Sequence, residues 1–216
     1  MMDTAFKRVC MRDRIRDALV ARILDGTYPA GLQLKELSLA REFNVSQAPI
    51  REALRELEGT GLVTSERYRG TRVRGTDPIE MRESYELRLM MEIRAIERSV
   101  PLTPAMIEKL QTCVNGMTDA VARGESESYI DWALRFHRGI VEVSGNGTFL
   151  KLWDSLHWDV RGRITLRRLA ARGAGLAPLV AMHMNLMDSL RAASRSVAVE
   201  QLTTILQTVS GAFDPV

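Results

Sequence analysis

"NVSQAPIREALRELEGTGLV", residues 44–63, is the stretch that decides the fold of the first part of the chain. Asn44 tolerates the left-handed backbone that ends a helix, and Ser46 is a frequent N-cap residue at the start of the next one. Pro49 then lies in the first helical turn, where its missing N–H costs little. The apolar residues that follow recur at helical spacing: Ile50, Ala53, Leu54 and Leu57. The stretch predicts a tight turn followed by an amphipathic helix.

Two helical patterns precede this stretch and a strand pattern follows it. Residues 11–25 and 35–43 each carry apolar side chains at helical spacing. Residues 62–73 change to the pattern of two short strands, with Arg69 and Gly70 as the turn between them. Three helices with a tight turn between the second and the third, followed by a β-hairpin, form a winged helix-turn-helix. We predict this domain over residues 1–75.

From residue 76 onward the sequence shows only helical patterns, separated by short turn-forming stretches. They cover residues 78–98, 103–123, 126–143, 147–172, 176–193 and 196–211. We therefore predict a mainly α protein, in which the winged helix-turn-helix is followed by an all-α six-helix bundle over residues 76–216.

The composition is that of an ordinary globular protein, with 45% hydrophobic and 26% charged residues. Only two cysteines are present, Cys10 and Cys113, so we expect no disulfide framework and a reducing compartment. No apolar run has membrane-spanning length, and the first residues lack the apolar core of a signal peptide. We expect a cytoplasmic protein with no membrane partner.

The positive charge of the chain is concentrated in its first third. Residues 1–75 hold 14 Lys and Arg against 10 Asp and Glu, whereas residues 76–216 hold 16 against 17. Most of the cations are arginines, whose planar fork suits phosphate oxygens. The charge distribution indicates a polyanion as the partner of the first domain.

The helix-turn-helix plan indicates which residues would contact DNA, because the second helix of the motif presents its N-terminal residues to base edges. Two groups of candidates follow from this plan. The recognition helix supplies Gln47, Ala48, Arg51 and Arg55, and the hairpin supplies Arg67, Arg69 and Arg72. An alternative is that Arg51 and Arg55 only pair with glutamates of their own exposed helix.

The second domain holds a smaller set of candidate ligand-binding residues. His137 and His183 lie on the apolar faces of two different predicted helices. They are candidates for binding Zn²⁺ or a related divalent metal, or for donating hydrogen bonds to a ligand. The alternative is a pair of core histidines satisfied by the backbone. Arg163, beside a line of apolar residues, is a further candidate for effector binding.

Residues 31–63 and the following "RYRGTRV", residues 67–73, resemble the N-terminal domain of GntR-family transcription regulators. The resemblance implies a homodimer that binds a short palindromic operator and responds to a small metabolite. It also implies that Arg51 is the principal DNA-contacting arginine. By the same resemblance, the base-reading first turn consists of Ser46, Gln47 and Ala48, and the tip of the wing of Arg69 and Gly70. Gln47 stands where the family usually has Arg. Since Gln pairs well with adenine, we expect an unusual operator preference.

The second domain resembles the ligand-binding domain of the FadR-like branch, called FCD, on "YELRLMMEIRA" (85–95), "FHRGIVEVSGN" (136–146) and the placement of His183. Many such domains bind a metal through one Asp and three His. Here Ala133 and Ile205 stand at two of those positions, so we expect an incomplete metal site. The resemblance also places Arg88 in the ligand pocket, where its fork suits a carboxylate. An ion pair with Glu92, four residues on, is the alternative role of Arg88.

We therefore expect a DNA-binding transcription regulator, a repressor or an activator, that is not an enzyme. Its effector would be a small organic acid bound by the second domain, which would also form the dimer. Two alternatives are a helical metal-dependent enzyme with an accessory basic domain, and a DNA-binding protein that senses no ligand. The enzyme alternative lacks a recognisable nucleophile set or phosphate-binding loop in the sequence.

Overall fold

The computed structural model describes residues 11–66, 69–74 and 77–214 of the 216-residue chain. The contacts between residues divide it into two compact units, Met1–Thr76 and Asp77–Val216. The predicted boundary between residues 75 and 76 falls on residues that are not described. In the described part, no helix combines the length and the apolar character needed to cross a membrane.

The first unit is a winged helix-turn-helix, as predicted. Its elements are α1 (Met11–Leu24), β1 (Gln33–Leu34), α2 (Glu36–Glu42), α3 (Gln47–Gly59), β2 (Val63–Glu66) and β3 (Gly70–Val73). The strands form an antiparallel sheet in the order β1-β3-β2. Strand β1 was not predicted, because two residues are too short for a recognisable alternation.

Helix α3 is fixed in the unit by the apolar stripe read from the sequence. Its four stripe residues are all buried: Ile50, Ala53, Leu54 and Leu57. They pack against α1, which buries Ile15, Leu19 and Val20. The opposite face of α3 therefore points to solvent.

The turn before α3 has the backbone that the sequence predicted. Asn44 takes a left-handed conformation with φ of 52°, and the Val45 N–H donates to the carbonyl of Ala40 at 2.9 Å. Ser46 occupies the N-cap position in an extended conformation, but its side chain makes no capping hydrogen bond. Its hydroxyl is not used to close the helix end.

The second unit is all-helical within residues 77–214, where seven α-helices replace the six predicted. They are α4 (Pro78–Ser99), α5 (Pro104–Ala122), α6 (Ser126–Val143), α7 (Gly147–Ser155), α8 (Trp158–Ala171), α9 (Ala177–Arg191) and α10 (Arg195–Ser210). The helix predicted over 147–172 is divided because His157 has a left-handed backbone, with φ of 50°. Neither Gly nor Pro marks this break in the sequence.

Helix α6 packs against four other helices of this unit: α4, α5, α7 and α8. Helix α10 packs against α4 and α9. The starts of α4 and α5 follow local rules: Asp77 and Thr103 cap the helices with their side chains, and each is followed by a proline in the first turn. The cavity described below lies among α4, α6, α8, α9 and α10.

Candidate functional site

The exposed start of α3 is the first candidate site. Ser46, Gln47 and Ala48 are all exposed there, and the first turn contains no acidic residue. The N–H groups of a helix N-terminus carry a partial positive charge that attracts anions. This end of α3 therefore offers polar side chains and a favourable field to a phosphate-bearing partner.

Arg51 projects from the exposed face of α3 and is held by Glu36 of α2. Its Nε lies 3.0 Å and 3.1 Å from the two Glu36 oxygens, and its Nη2 lies 2.8 Å from Oε2. The hydrogen bond from Arg51 is the main cause that holds the pKa of the Glu36 carboxyl below its usual value. The alternative of pairing within α3 is wrong for Arg51, since its partner lies on the preceding helix.

Arg55 lies one turn further along α3 and is exposed. Among the described residues it forms no hydrogen bond or salt bridge, although its charge also helps to lower the pKa of Glu36. The glutamates near it have other partners: Glu56 binds Arg12 of α1 at 2.9 Å, and Glu58 accepts the Ser65 N–H at 3.0 Å. The predicted pairing of Arg55 with acids of its own helix is not observed.

The hairpin brings three further candidates to the surface. The Arg69 side chain is 77% exposed and contacts Glu66 at 3.1 Å, while its carbonyl accepts a hydrogen bond from Gln33 at 2.8 Å. Gly70 has φ of 78°, a conformation that favours glycine. Arg72 donates to the carbonyl of Gly31 at 3.1 Å. Arg67 lies outside the described residues.

The second candidate site is a cavity of about 40 Å³ inside the second unit. A few polar groups within a mostly apolar lining are the usual pattern of small-molecule sites. Its polar lining residues are Tyr85, Arg88, Tyr129, His137, Thr165 and His183. Its apolar lining residues are Ile130, Ala133, Leu134, Leu166, Leu169, Leu179, Ile205, Leu206 and Val209.

Arg88 is the buried cation of this cavity, with only 4% of its surface exposed. Its Nε donates to Glu92 at 2.7 Å, and its guanidinium carbon lies 4.6 Å from the Trp158 ring and 4.9 Å from the Trp153 ring. In the part of the chain that the structure describes, neither Nη atom has a hydrogen-bond acceptor. Arg88 therefore forms the ion pair with Glu92 and also lines the cavity, while its role in binding a ligand stays a prediction.

Glu92 links Arg88 to the two histidines, a role that the sequence did not reveal. Its second oxygen lies 2.6 Å from Nδ1 of His137. Burial raises the pKa of the Glu92 carboxyl, but the charges of His137 and Arg88 outweigh burial and hold that pKa below its usual value. The spacing of Tyr85, Arg88 and Glu92 places all three on one face of α4, which was the available signal.

The two imidazoles are in direct contact through their Nε2 atoms, which are 3.1 Å apart. The Nδ1 of His183 donates to the carbonyl of Leu179 at 2.7 Å. Burial and the neighbouring His137 lower the pKa of His183 to about 3. A continuous path of contacts therefore runs from Glu92 through both imidazoles to the Leu179 carbonyl. Burial is the largest cause that holds the pKa of His137 below its usual value, although the neighbouring Glu92 carboxylate raises that pKa.

Tyr129 adds a neutral donor to the same wall. It is 3% exposed, and its ring meets His183 edge-on with the centroids 6.5 Å apart. Burial raises the pKa of its hydroxyl, which keeps the proton in place. Within residues 77–214 this hydroxyl has no hydrogen-bond partner, so a ligand in the cavity can accept its proton in a hydrogen bond.

Arg163 does not line the cavity, and its proposed role in effector binding is wrong for this site. Its guanidinium lies at the surface, where it contacts Asp131 at 2.8 Å and also pairs with Glu127. The apolar residues near it in sequence belong to the other face of α8. A cation on an amphipathic helix can border an apolar stripe without pointing into the core.

The residues present do not fit a metal held by the protein. The same cavity is lined by both imidazoles and by Ala133 and Ile205, which stand where the family resemblance places an aspartate and a histidine. The side chains that would complete a set of metal ligands are therefore missing from this chain. Within the described ranges, no group of three His, Cys, Asp or Glu side chains is placed to hold a metal ion. Two imidazole nitrogens without a carboxylate make an incomplete coordination shell.

Two family profiles match the sequence. The profile of bacterial regulatory proteins of the gntR family matches residues 11–73, and the profile of the FCD domain matches residues 83–208. The second match alone covers more than half of the chain.

Individual relatives carry names of transcriptional repressors. The chain is 27% identical over 205 residues to the probable D-xylose utilization operon transcriptional repressor of Paenarthrobacter nicotinovorans, covering 94% of this chain and 89% of that protein. It is 31% identical over 147 residues to the gluconate operon transcriptional repressor of Bacillus licheniformis, covering 66% and 59%. A solved GntR transcriptional regulator from Rhodococcus sp. RHA1 shares the fold with a TM-score of 0.74 at 21% identity, over 94% of this chain and 96% of that one.

Proposed function

The chain belongs to the GntR family of DNA-binding transcription regulators and carries an FCD domain, and from this premise we propose that a small organic acid in the cavity of the second unit controls its affinity for an operator. The observation that carries the proposal is the buried Arg88, whose two Nη groups have no acceptor among the described residues. A buried guanidinium fork with free donors is suited to a carboxylate. The second unit would thus sense its ligand rather than convert it.

The DNA-contacting surface in this proposal is the exposed start of α3 together with the hairpin. Ser46, Gln47 and Ala48 would face base edges, and Gln47 would favour adenine. Phosphate contacts would come from arginines on α3 and on the hairpin: Arg51, Arg55, Arg67, Arg69 and Arg72. We also propose a homodimer on a palindromic operator in the cytoplasm, because the symmetry of a dimer matches a palindrome.

The acid would act by binding more tightly to one of two states of the protein that differ in affinity for the operator. The names of the relatives favour repression. In this proposal the acid would relieve it. The anion would bind to the Nη donors of Arg88 that Glu92 leaves unused, inside a cavity whose lining is mostly apolar.

The test is fluorescence anisotropy with a DNA fragment from the promoter of its own gene. Monocarboxylates added to the wild-type protein should change the dissociation constant for the fragment at least about fivefold, the lower end of typical allosteric coupling. A DNA-binding protein that senses no ligand would keep the same constant at every acid concentration. That second result would reject the sensor proposal while leaving DNA binding in place.

A further inference from the structure

The walls of the cavity differ sharply in polarity. Helix α10 contributes only apolar side chains to the lining, from Ile205, Leu206 and Val209. Helix α8 adds Leu166 and Leu169 along with Thr165. The polar groups belong mainly to α4, α6 and α9, where Arg88, His137 and His183 are joined through Glu92. A bound molecule therefore meets one polar wall and one hydrocarbon wall.

Most hydrogen-bonding groups of the polar wall already have partners in the protein. The hydroxyls of Tyr85 and Thr165 lie 2.8 Å apart, and the imidazoles bond to each other, to Glu92 and to a backbone carbonyl. Among the described lining residues, the groups left without a partner are the Nη atoms of Arg88 and the hydroxyl of Tyr129. Both side chains line the cavity, so these are the donors available to a carboxylate there. They cannot also serve a row of ligand hydroxyls.

We propose that the effector is a monocarboxylic acid with a hydrocarbon body, whose carboxylate binds Arg88 and Tyr129 and whose body packs against α8 and α10. This inference rests on the proposed function, in which the cavity is the effector site. Burying hydrocarbon against Ile205, Leu206 and Val209 is favourable, whereas a hydroxyl buried there would lose its water without gaining a partner. A sugar acid is therefore a poor ligand for this chain, although one relative is named for the gluconate operon.

Hexanoate and gluconate provide a matched pair of probes, because both are six-carbon monocarboxylates and differ in their hydroxyl groups. Isothermal titration calorimetry on the purified full chain should give hexanoate a dissociation constant at least about tenfold lower than that of gluconate, because the hydroxyls find no partners. Shortening hexanoate to butanoate should weaken binding about fourfold for each methylene removed. The neutral 1-hexanol, which keeps the hydrocarbon body, should bind more weakly than hexanoate because Arg88 recognises the charge.

Two variants on α10 distinguish the effect of changing the cavity wall from the effect of any Val→Thr change in this helix. Val209→Thr keeps the shape of a half-buried lining residue and adds a hydroxyl. It should raise the dissociation constant of hexanoate a few-fold without raising that of gluconate, because only the hydrocarbon body of hexanoate depends on an apolar wall. Val197→Thr makes the same change at a position that is 41% exposed and outside the cavity, and it should leave both constants unchanged.

The outcomes test this inference separately from the proposed function, in which an organic acid binds in the cavity. Gluconate binding as tightly as hexanoate would overturn the hydrocarbon-body inference, while carboxylate recognition in the cavity would still hold. Equal binding of 1-hexanol and hexanoate would show that the charge is not recognised, and would overturn the organic-acid proposal as well. Absence of heat with all four probes would overturn both.

Discussion

Arg88 and Glu92 form an ion pair inside the second unit, with Nε and Oε1 2.7 Å apart and with side chains that are 4% and 0% exposed. The pair uses only one edge of the guanidinium. Because Glu92 also binds His137, the same carboxylate fixes the orientation of both the arginine and the imidazole pair. The cavity thus contains a cation that is charge-balanced for folding and still open to a ligand.

Removing Arg88 alone should be more harmful to stability than removing the pair. Arg88→Met leaves Glu92 buried without its arginine, and truncating one partner of a buried pair costs about 3–5 kcal/mol. Arg88→Met combined with Glu92→Gln removes both charges and should recover most of that loss. Urea denaturation of the two variants measures the difference in free energy of unfolding. Equal losses in both would show that Arg88 does not balance the buried carboxylate.

Glu36 should restrain DNA binding by competing for Arg51. In Glu36→Gln the bidentate partner loses its charge, so Arg51 becomes available to phosphate and one nearby negative charge disappears. We expect operator affinity to rise several-fold at low salt, as measured by fluorescence anisotropy. The control is Glu52→Gln, an exposed glutamate of α3 that changes net charge by the same amount. An equal rise in both variants would assign the effect to net charge alone.

The identity of two residues, rather than the fold, should decide whether the second unit binds a metal. Ala133 and Ile205 line the same cavity as His137 and His183, at the positions where the family resemblance places an aspartate and a histidine. Ala133→Asp combined with Ile205→His should therefore bind about one equivalent of Zn²⁺ per chain, measured by elemental analysis after dialysis. The single variants are the controls and should retain less. If the double variant retains no more Zn²⁺ than the wild-type protein, this account of the missing ligands is wrong.

Filling the cavity should abolish ligand binding without unfolding the protein. Ala133→Leu adds three carbon atoms to a lining residue that is 5% exposed. Because the space it would fill is a cavity, we expect a change in melting temperature of only a few degrees, in either direction. The variant should show no hexanoate heat in calorimetry. Undiminished hexanoate binding would place the ligand elsewhere.

The winged helix-turn-helix was predictable because its signals are local. Asn44, Pro49 and the stripe of α3 each obey a rule that involves only neighbouring residues. The break at His157 was not predictable, since a left-handed residue other than glycine or asparagine leaves no mark in the sequence. The helix count of the second unit was wrong for this reason alone.

The candidate sites were only partly predictable, because side-chain partners come from distant parts of the chain. The pairing of Arg51 with Glu36 depends on how α2 meets α3, and the chain of contacts from Glu92 to His183 joins three helices. Arg163 was predicted to bind the effector because apolar residues lie near it in the sequence, but in the structure it pairs with acids at the surface. The roles of Arg88 and the two histidines as effector-binding residues stay predictions.

The most direct test of the account compares the response of operator binding to hexanoate in two proteins. In the wild-type chain, saturating hexanoate should change the dissociation constant for promoter DNA at least about fivefold. In Arg88→Met combined with Glu92→Gln, which should fold and bind the DNA without acid, hexanoate should leave that constant unchanged. The same hexanoate response in both proteins, or none in the wild type, would contradict the claim that Arg88 couples a carboxylate in the cavity to DNA binding.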